Sequence, residues 1–188
     1  MRDPGNNYLK AWSGEYEERP FFFEEKSDLG TRLIAWSEEP EQTQRAFFAI
    51  IDTLPWDMAV LLKICVGRNE EQHKSYWARY HRVLNRSELI RAIQANEKYV
   101  FSDGMHQLCL KDPEGDRCLA FDDHGILFIY SPQPSDAELF RGLGFEERYV
   151  EPLYAKPHYQ ITPKNSEAMQ QKFVADLQLE TVESDLDR

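Results

Sequence analysis

A chain of 188 residues with 41% hydrophobic and 13% aromatic side chains is long enough to bury a core of its own, and its length fits one domain. It carries 33 Asp and Glu against 22 Lys and Arg, a formal net charge of -11. That balance argues against nucleic acid or an anionic membrane as partner, because phosphate binding needs local positive charge; it permits a basic protein, and it is equally a common solubility device.

Residues 1–7 lack the apolar stretch of a signal peptide, and the longest apolar run, residues 46–51, is too short to cross a bilayer, so a cytoplasmic protein is expected. Two short strands are predicted at residues 21–24 and 32–36, with Asp28, Leu29 and Gly30 turning the chain between them. Ser37 followed by Glu38, Glu39 and Pro40 reads as a capped helix start. The helix should run to about Thr53, with Ala46, Phe47, Ile50, Ile51 and Leu54 on one buried face. Residues 58–66 predict a central strand buried on both sides. Residues 75–84 fit either a helix or a half-exposed strand, and their aromatic content favours the strand. Ser87 is expected to cap a helix over residues 87–96 that buries Leu89, Ile90 and Ile93.

Residues 99–131 carry the clearest pattern. Three turn signals, Ser102-Asp103-Gly104, Asp112-Pro113-Glu114-Gly115-Asp116 and Asp122-Asp123-His124-Gly125, separate short apolar runs and predict a four-stranded antiparallel meander. Ser135 then caps a helix over residues 136–143 stopped by Gly144, residues 148–153 suggest an edge strand, and Ser166 caps a last helix carrying Met169, Phe173, Val174 and Leu177. Strands bunched together with helices before and after indicate an α+β fold: an antiparallel sheet with its meander in the C-terminal half, and helices on one face. Residues 1–178 are expected to form one domain and residues 179–188 an acidic, frayed tail.

Sites of chemistry are sparse. Asp122, Asp123 and His124 could hold a divalent ion or share a proton, but metal ligation needs further ligands and a hairpin turn explains the same residues. The five histidines, His73, His81, His106, His124 and His158, show no helical metal spacing, so no metal and no cofactor is expected. No nucleophile elbow or phosphate loop occurs, so no catalytic residue is assigned. Cys65, Cys109 and Cys118 lack Cys-x-x-Cys spacing and read as small buried side chains; Cys109 and Cys118 flank one hairpin and could face each other as a redox pair. Pro157, His158 and Tyr159, following Leu153 and Tyr154, read either as an exposed recognition patch or as a packed edge segment. Acids gather in the connections: Glu15, Glu17 and Glu18; Glu24, Glu25 and Asp28; Asp112, Glu114 and Asp116; Asp122 and Asp123; Glu146, Glu147 and Glu151. The later groups are expected to share one end of the sheet as a rim that steers a cationic partner.

Residues 101–108, Phe-Ser-Asp-Gly-Met-His-Gln-Leu, and residues 119–131, Leu-Ala-Phe-Asp-Asp-His-Gly-Ile-Leu-Phe-Ile-Tyr-Ser, resemble immunity proteins of bacterial polymorphic and type VI secreted toxins. The likeness spans mainly residues 99–159. It implies a noncatalytic antidote that binds a cognate toxin and blocks its active site or substrate access. The lack of an export signal in turn suggests a toxin active in the cytoplasm, with a nuclease the best single guess. The expected contacts are Asp112, Glu114, Asp116, Asp122, Asp123, His124, Tyr154, His158 and Tyr159. The alternatives are a metal-assisted hydrolase using Asp122, Asp123 and His124, or a regulatory module holding a small ligand between helix and sheet.

Overall fold

The computed structural model describes residues 10–12, 19–28, 30–66, 76–156 and 158–182. Readings that fall on Glu15, Glu17, Glu18, Leu29, His73 and Pro157 lie outside these residues. The elements are β1 (Ala11–Trp12), β2 (Phe21–Ser27), β3 (Gly30–Trp36), α1 (Pro40–Ile51), β4 (Asp57–Val66), β5 (Tyr76–Asn85), α2 (Arg86–Ala95), α3 (Glu97–Ser102), β6 (His106–Lys111), β7 (Cys118–Phe121), β8 (Leu127–Tyr130), α4 (Pro134–Gly142), β9 (Glu146–Glu147), β10 (Tyr159–Gln160), α5 (Ser166–Asp176) and β11 (Glu180–Thr181). Nine strands form one sheet in the order β11-β5-β4-β6-β7-β8-β3-β2-β9, antiparallel except where β9 joins β2. A separate ribbon pairs β1 with β10. The class is α+β, as the sequence predicts.

Alternation along the strands sends Phe22, Ala35, Val60, Leu62, Ile64, Leu108, Leu110, Leu119, Phe121, Leu127 and Ile129 to one face. Among the described residues the five α-helices all cover that face, contributing Phe47 and Ile50 of α1, Ile93 of α2, Phe101 of α3, Phe140 of α4 and Phe173 of α5, while the short 3-10 turn Leu153–Ala155 lies on the other. Phe47 meets Phe101 edge-on at 5.4 Å and Phe121 at 5.6 Å, which ties α1 and α3 to the middle of the sheet. The opposite face carries a smaller core of Phe21, Phe23, Ile34, Trp36, Ala120 and Phe128, roofed by Ala11 and Leu153. Two apolar faces explain why three phenylalanines stand in a row in β2. Strand β4 differs from the reading of full burial on both sides: Val60, Leu62 and Ile64 are sealed under the helices, while Leu61, Lys63 and Cys65 are half-buried.

The meander has three strands rather than four. Residues 97–102 form a helical turn, because Tyr99, Val100 and Phe101 all point into the helix-side core, and a continuous apolar run carries no period to tell strand from helix. Asp103-Gly104 is therefore a helix-to-strand connection, not a hairpin. Gly104 meets a steric demand instead: a Cβ there would collide with the Lys10 carbonyl oxygen. Gly104→Ala is expected to lower stability by about 1–3 kcal/mol, towards the upper end because the obstacle is backbone, read as a fall in the urea midpoint.

The helix starts also differ. Asn85, not Ser87, caps α2 by accepting from the Glu88 amide at 3.0 Å. Helix α4 starts at Pro134, where Asp136 Oδ2 accepts from the Gln133 amide at 2.7 Å. Ser37 accepts from the Glu39 amide ahead of α1, and Ser166 is the first residue of α5 with its hydroxyl directed at Asp103. Residues 148–152 form no edge strand, since pairing stops at Glu147. The fold also runs further than residue 178: Leu179 is buried and β11 pairs with the outer edge of β5.

Register settles where the acidic turns lie. In a meander successive turns fall at opposite ends, so Asp112, Glu114 and Asp116, beyond Lys111 and Cys118, are separated from Asp122 and Asp123, beyond Phe121 and Leu127, by the length of the strands. The expected single rim does not form. Among the described residues, no helix is long and apolar enough to cross a membrane.

Candidate functional site

Buried ionisable side chains collect at the end of the sheet where β7 turns into β8. The turn is built by Asp122: its Oδ1 accepts from the backbone amides of His124 at 2.9 Å and Ile126 at 2.7 Å, and Gly125 takes φ +78° to close it. The same geometry aims His124 back at its neighbours. Its Nδ1 stands 3.0 Å from Asp122 Oδ2 and 3.2 Å from Asp123 Oδ1. Its Nε2 faces His158 Nε2 at 3.0 Å, and His158 Nδ1 donates to the Lys156 carbonyl at 2.7 Å.

These contacts fix protons. With its Nδ1–H given to Lys156, neutral His158 presents a lone pair at Nε2, so His124 donates to it and also donates from Nδ1 to the carboxylates. His124 is thus an imidazolium. Burial by itself would push it down, but Asp122 and Asp123 outweigh that and lift it to about 9. Burial likewise works against the Asp123 carboxylate, yet His124 and Gln107 hold it at about 2. The Asp123 oxygens are each engaged by an amide, Gln107 Nε2 at 3.0 Å and Gln160 Nε2 at 2.7 Å. Gln160 belongs to β10, so the network joins the β1–β10 ribbon to the meander.

Behind this lies Lys10, 1% exposed. Its three ammonium protons meet three acceptors: His106 Nε2 at 3.2 Å, the His106 carbonyl at 3.0 Å and the Asp122 carbonyl at 2.9 Å. Its Nζ also lies 4.3 Å above the Phe121 ring. Burial lowers its pKa to about 8 against the raising pull of Asp122, Asp103 and Asp123. His106 stacks on Tyr99 at 4.3 Å, with its Nδ1 3.9 Å from the Asp103 carboxylate that accepts from Ser166. Lys10, His106, Asp103 and Ser166 are all sealed from solvent. They brace the site rather than meet a ligand.

The predicted contact residues fall into three places. Asp122, Asp123, His124, His158 and Tyr154 come together, with the Tyr154 ring 6.0 Å from His124. Both aspartates are 8% exposed, so their carboxylates face inward, contrary to a solvated turn. Tyr159 is 67% exposed on β10. Asp112, Glu114 and Asp116 stand on the far turn, where Asp112 Oδ1 accepts from the Glu114 amide at 2.9 Å. The sequence missed Lys10, an isolated lysine with no motif around it, and it missed the convergence of His124 with His158, which are too far apart in the chain to show any spacing.

Above the smaller core, a patch of exposed aromatics lies on the helix-free face. Tyr149 is 74% exposed and meets Phe23 edge-on at 5.0 Å; Tyr154 is 42% and Tyr130 39% exposed. Arg32 lies 5.0 Å over the Phe128 ring, donates to the Tyr130 hydroxyl at 3.4 Å and pairs with Glu25 at 2.6 Å. A groove of about 580 Å³ at the other end of the sheet, between β2, β3 and α4, offers only Glu24 and Lys26 as ionisable lining, and these are paired with each other at 3.0 Å. Among the described residues no cysteine is in a disulfide; Cys109 and Cys118 share the helix-free face on diagonal positions of β6 and β7, and their hydrogen bond lowers the Cys109 thiol while raising that of Cys118.

Comparison with protein-family models, curated proteins and solved structures finds no match to this chain.

Proposed function

We propose that this chain is a cytoplasmic immunity protein that binds and neutralises a cognate secreted toxin, with its helix-free sheet face as the contact surface. The observation that carries the reading is the patch of exposed Tyr130, Tyr149 and Tyr154, with half-buried Arg32 among them, over an aromatic base. Tyrosine and arginine are the residue types that anchor protein interfaces, because they give large contact area at low entropic cost. The net charge of -11 suits a basic partner such as a nuclease, and Glu114 and Asp116, exposed on the 112–116 turn, supply attraction at long range. The acids expected as direct contacts at Asp122 and Asp123 act on this reading through His124, which they hold beside Tyr154.

The test is co-expression with the effector encoded beside this chain's gene. Wild-type protein should restore growth and bind the effector; Tyr149→Ala with Tyr154→Ala should weaken binding at least about 100-fold with the melting curve unchanged. Neutralising Asp112, Glu114 and Asp116 should slow association and flatten its salt dependence while leaving dissociation alone. Failure to bind any neighbouring effector, or turnover of a substrate by the purified chain, would remove the proposal.

A further inference from the structure

We propose that His124 and His158 form a binding site for a divalent transition-metal ion of the zinc class, their Nε2 atoms the protein ligands and the surrounding oxygens the partners that orient them. The site borders the proposed toxin-binding surface at Tyr154, but the inference does not depend on that reading. Three features of the structure converge on this site.

The first is the distance. Zinc–imidazole bonds of about 2.0–2.1 Å at a near-tetrahedral angle place two donor nitrogens roughly 3.3 Å apart. His124 Nε2 and His158 Nε2 stand 3.0 Å apart, so a shift of a few tenths of an ångström admits the ion. The second is orientation. A metal-binding histidine usually gives its other ring N–H to a carboxylate or a carbonyl, which fixes the tautomer and raises ligand basicity. Both patterns are present: His124 Nδ1 lies against Asp122 and Asp123, and His158 Nδ1 against the Lys156 carbonyl. The third is access. The His124 side chain keeps 14% exposure, His158 is half-buried and Tyr154 beside them is 42% exposed, so the pair lies near the surface.

Asp122, Asp123 and His124 bring three possible ligand atoms within 4.8 Å of one another, but the carboxylates suit the orienting role better. Asp122 Oδ1 already takes two amides of its own turn, and each Asp123 oxygen holds a glutamine amide. Imidazole donors select zinc, copper, nickel or cobalt over magnesium and calcium, which want oxygen. A bound ion would replace the single proton now shared between the two rings, and would fasten the segment carrying Lys156, His158 and Gln160 to the 122–125 turn.

The probe is Co²⁺, titrated into tag-free protein near pH 7.5 and followed by its visible absorption bands, with Zn²⁺ as competitor. One equivalent should bind, Zn²⁺ should displace it, and one equivalent of Zn²⁺ should raise Tm. His158→Ala should weaken binding at least about 30-fold, and Asp123→Asn about 10-fold, as loss of an orienting partner does. A wild-type measurement guards against variants that fold poorly: on adding Zn²⁺, the Nε2 resonances of His124 and His158, and not those of His81 or His106, should move in ¹⁵N spectra. No binding below millimolar metal, unmoved Nε2 resonances, or binding that survives His158→Ala intact would overturn the site and leave a proton-sharing histidine pair.

Discussion

Replacing Lys10 by methionine is expected to abolish a rise in stability of about 3 kcal/mol that the wild-type protein shows between pH 8 and pH 10.5. Burial holds the folded-state pKa at about 8 against 10.5 for a free lysine. Below pH 8 both states carry the proton, and the folded state bears the full cost of a buried ammonium. Between the two values the unfolded chain keeps its proton while the folded chain has released it. The unfolded state then binds more protons, so stability climbs with pH until about 10.5, where both are neutral. Methionine has similar length and no charge, so its stability should lack this component. The measurement is urea unfolding of both proteins at pH 7.5 and 10.5: the wild type should gain on Lys10→Met as pH rises. A difference that stays constant would mean that Lys10 ionises like a solvated lysine, which its 1% exposure opposes.

The second large effect concerns Arg117 and Asp136. Asp136 is fully buried at the first turn of α4, and Arg117, at the start of β7, donates to it at 2.7 Å and to the Thr53 hydroxyl at 2.6 Å. This guanidinium joins the end of α1, the meander and α4 at one point. Removing one partner of a buried pair leaves an uncompensated charge, so Arg117→Met should cost about 3–5 kcal/mol, lowering Tm by on the order of 10 °C. Adding Asp136→Asn should recover part of the loss, because the stranded carboxylate is then neutral. Two single variants and the double, compared by thermal melting, check this directly; equal and additive losses would show that packing, not charge, sets the cost.

How far the sequence could be read depended on whether the signal was local. The β2–β3 and β6–β8 hairpins, the strand character of residues 76–84 and the buried stripe of α1 follow from periods within a dozen residues, and the structure has them. Helix caps are less legible because serine is only one of several acceptors: Asn85 and Asp136, within three residues of Ser87 and Ser135, take the capping bonds. The α3 turn was misread because Tyr99, Val100 and Phe101 form a run without alternation. In the candidate site, Asp122, Asp123 and His124 were visible as neighbours, whereas Lys10, His106 and His158 reach them only through the β1–β10 ribbon and the start of β6. Nothing in the spacing of those residues encodes such a meeting. The reversal of the acidic rim came from treating turns as a set, when a meander alternates their ends.

The pairing of β3 with β8 has a kinetic consequence. Arg32 and Tyr130, side by side in the sheet, are 98 positions apart in the chain. The first hairpin can close on its own, but its docking must wait until the distant meander exists to receive it, so the seam between them is expected to close late in folding. Until that seam closes, the β2–β3 hairpin carries Phe21, Phe22 and Phe23 uncovered, and the newly made chain is most prone to clump during that interval.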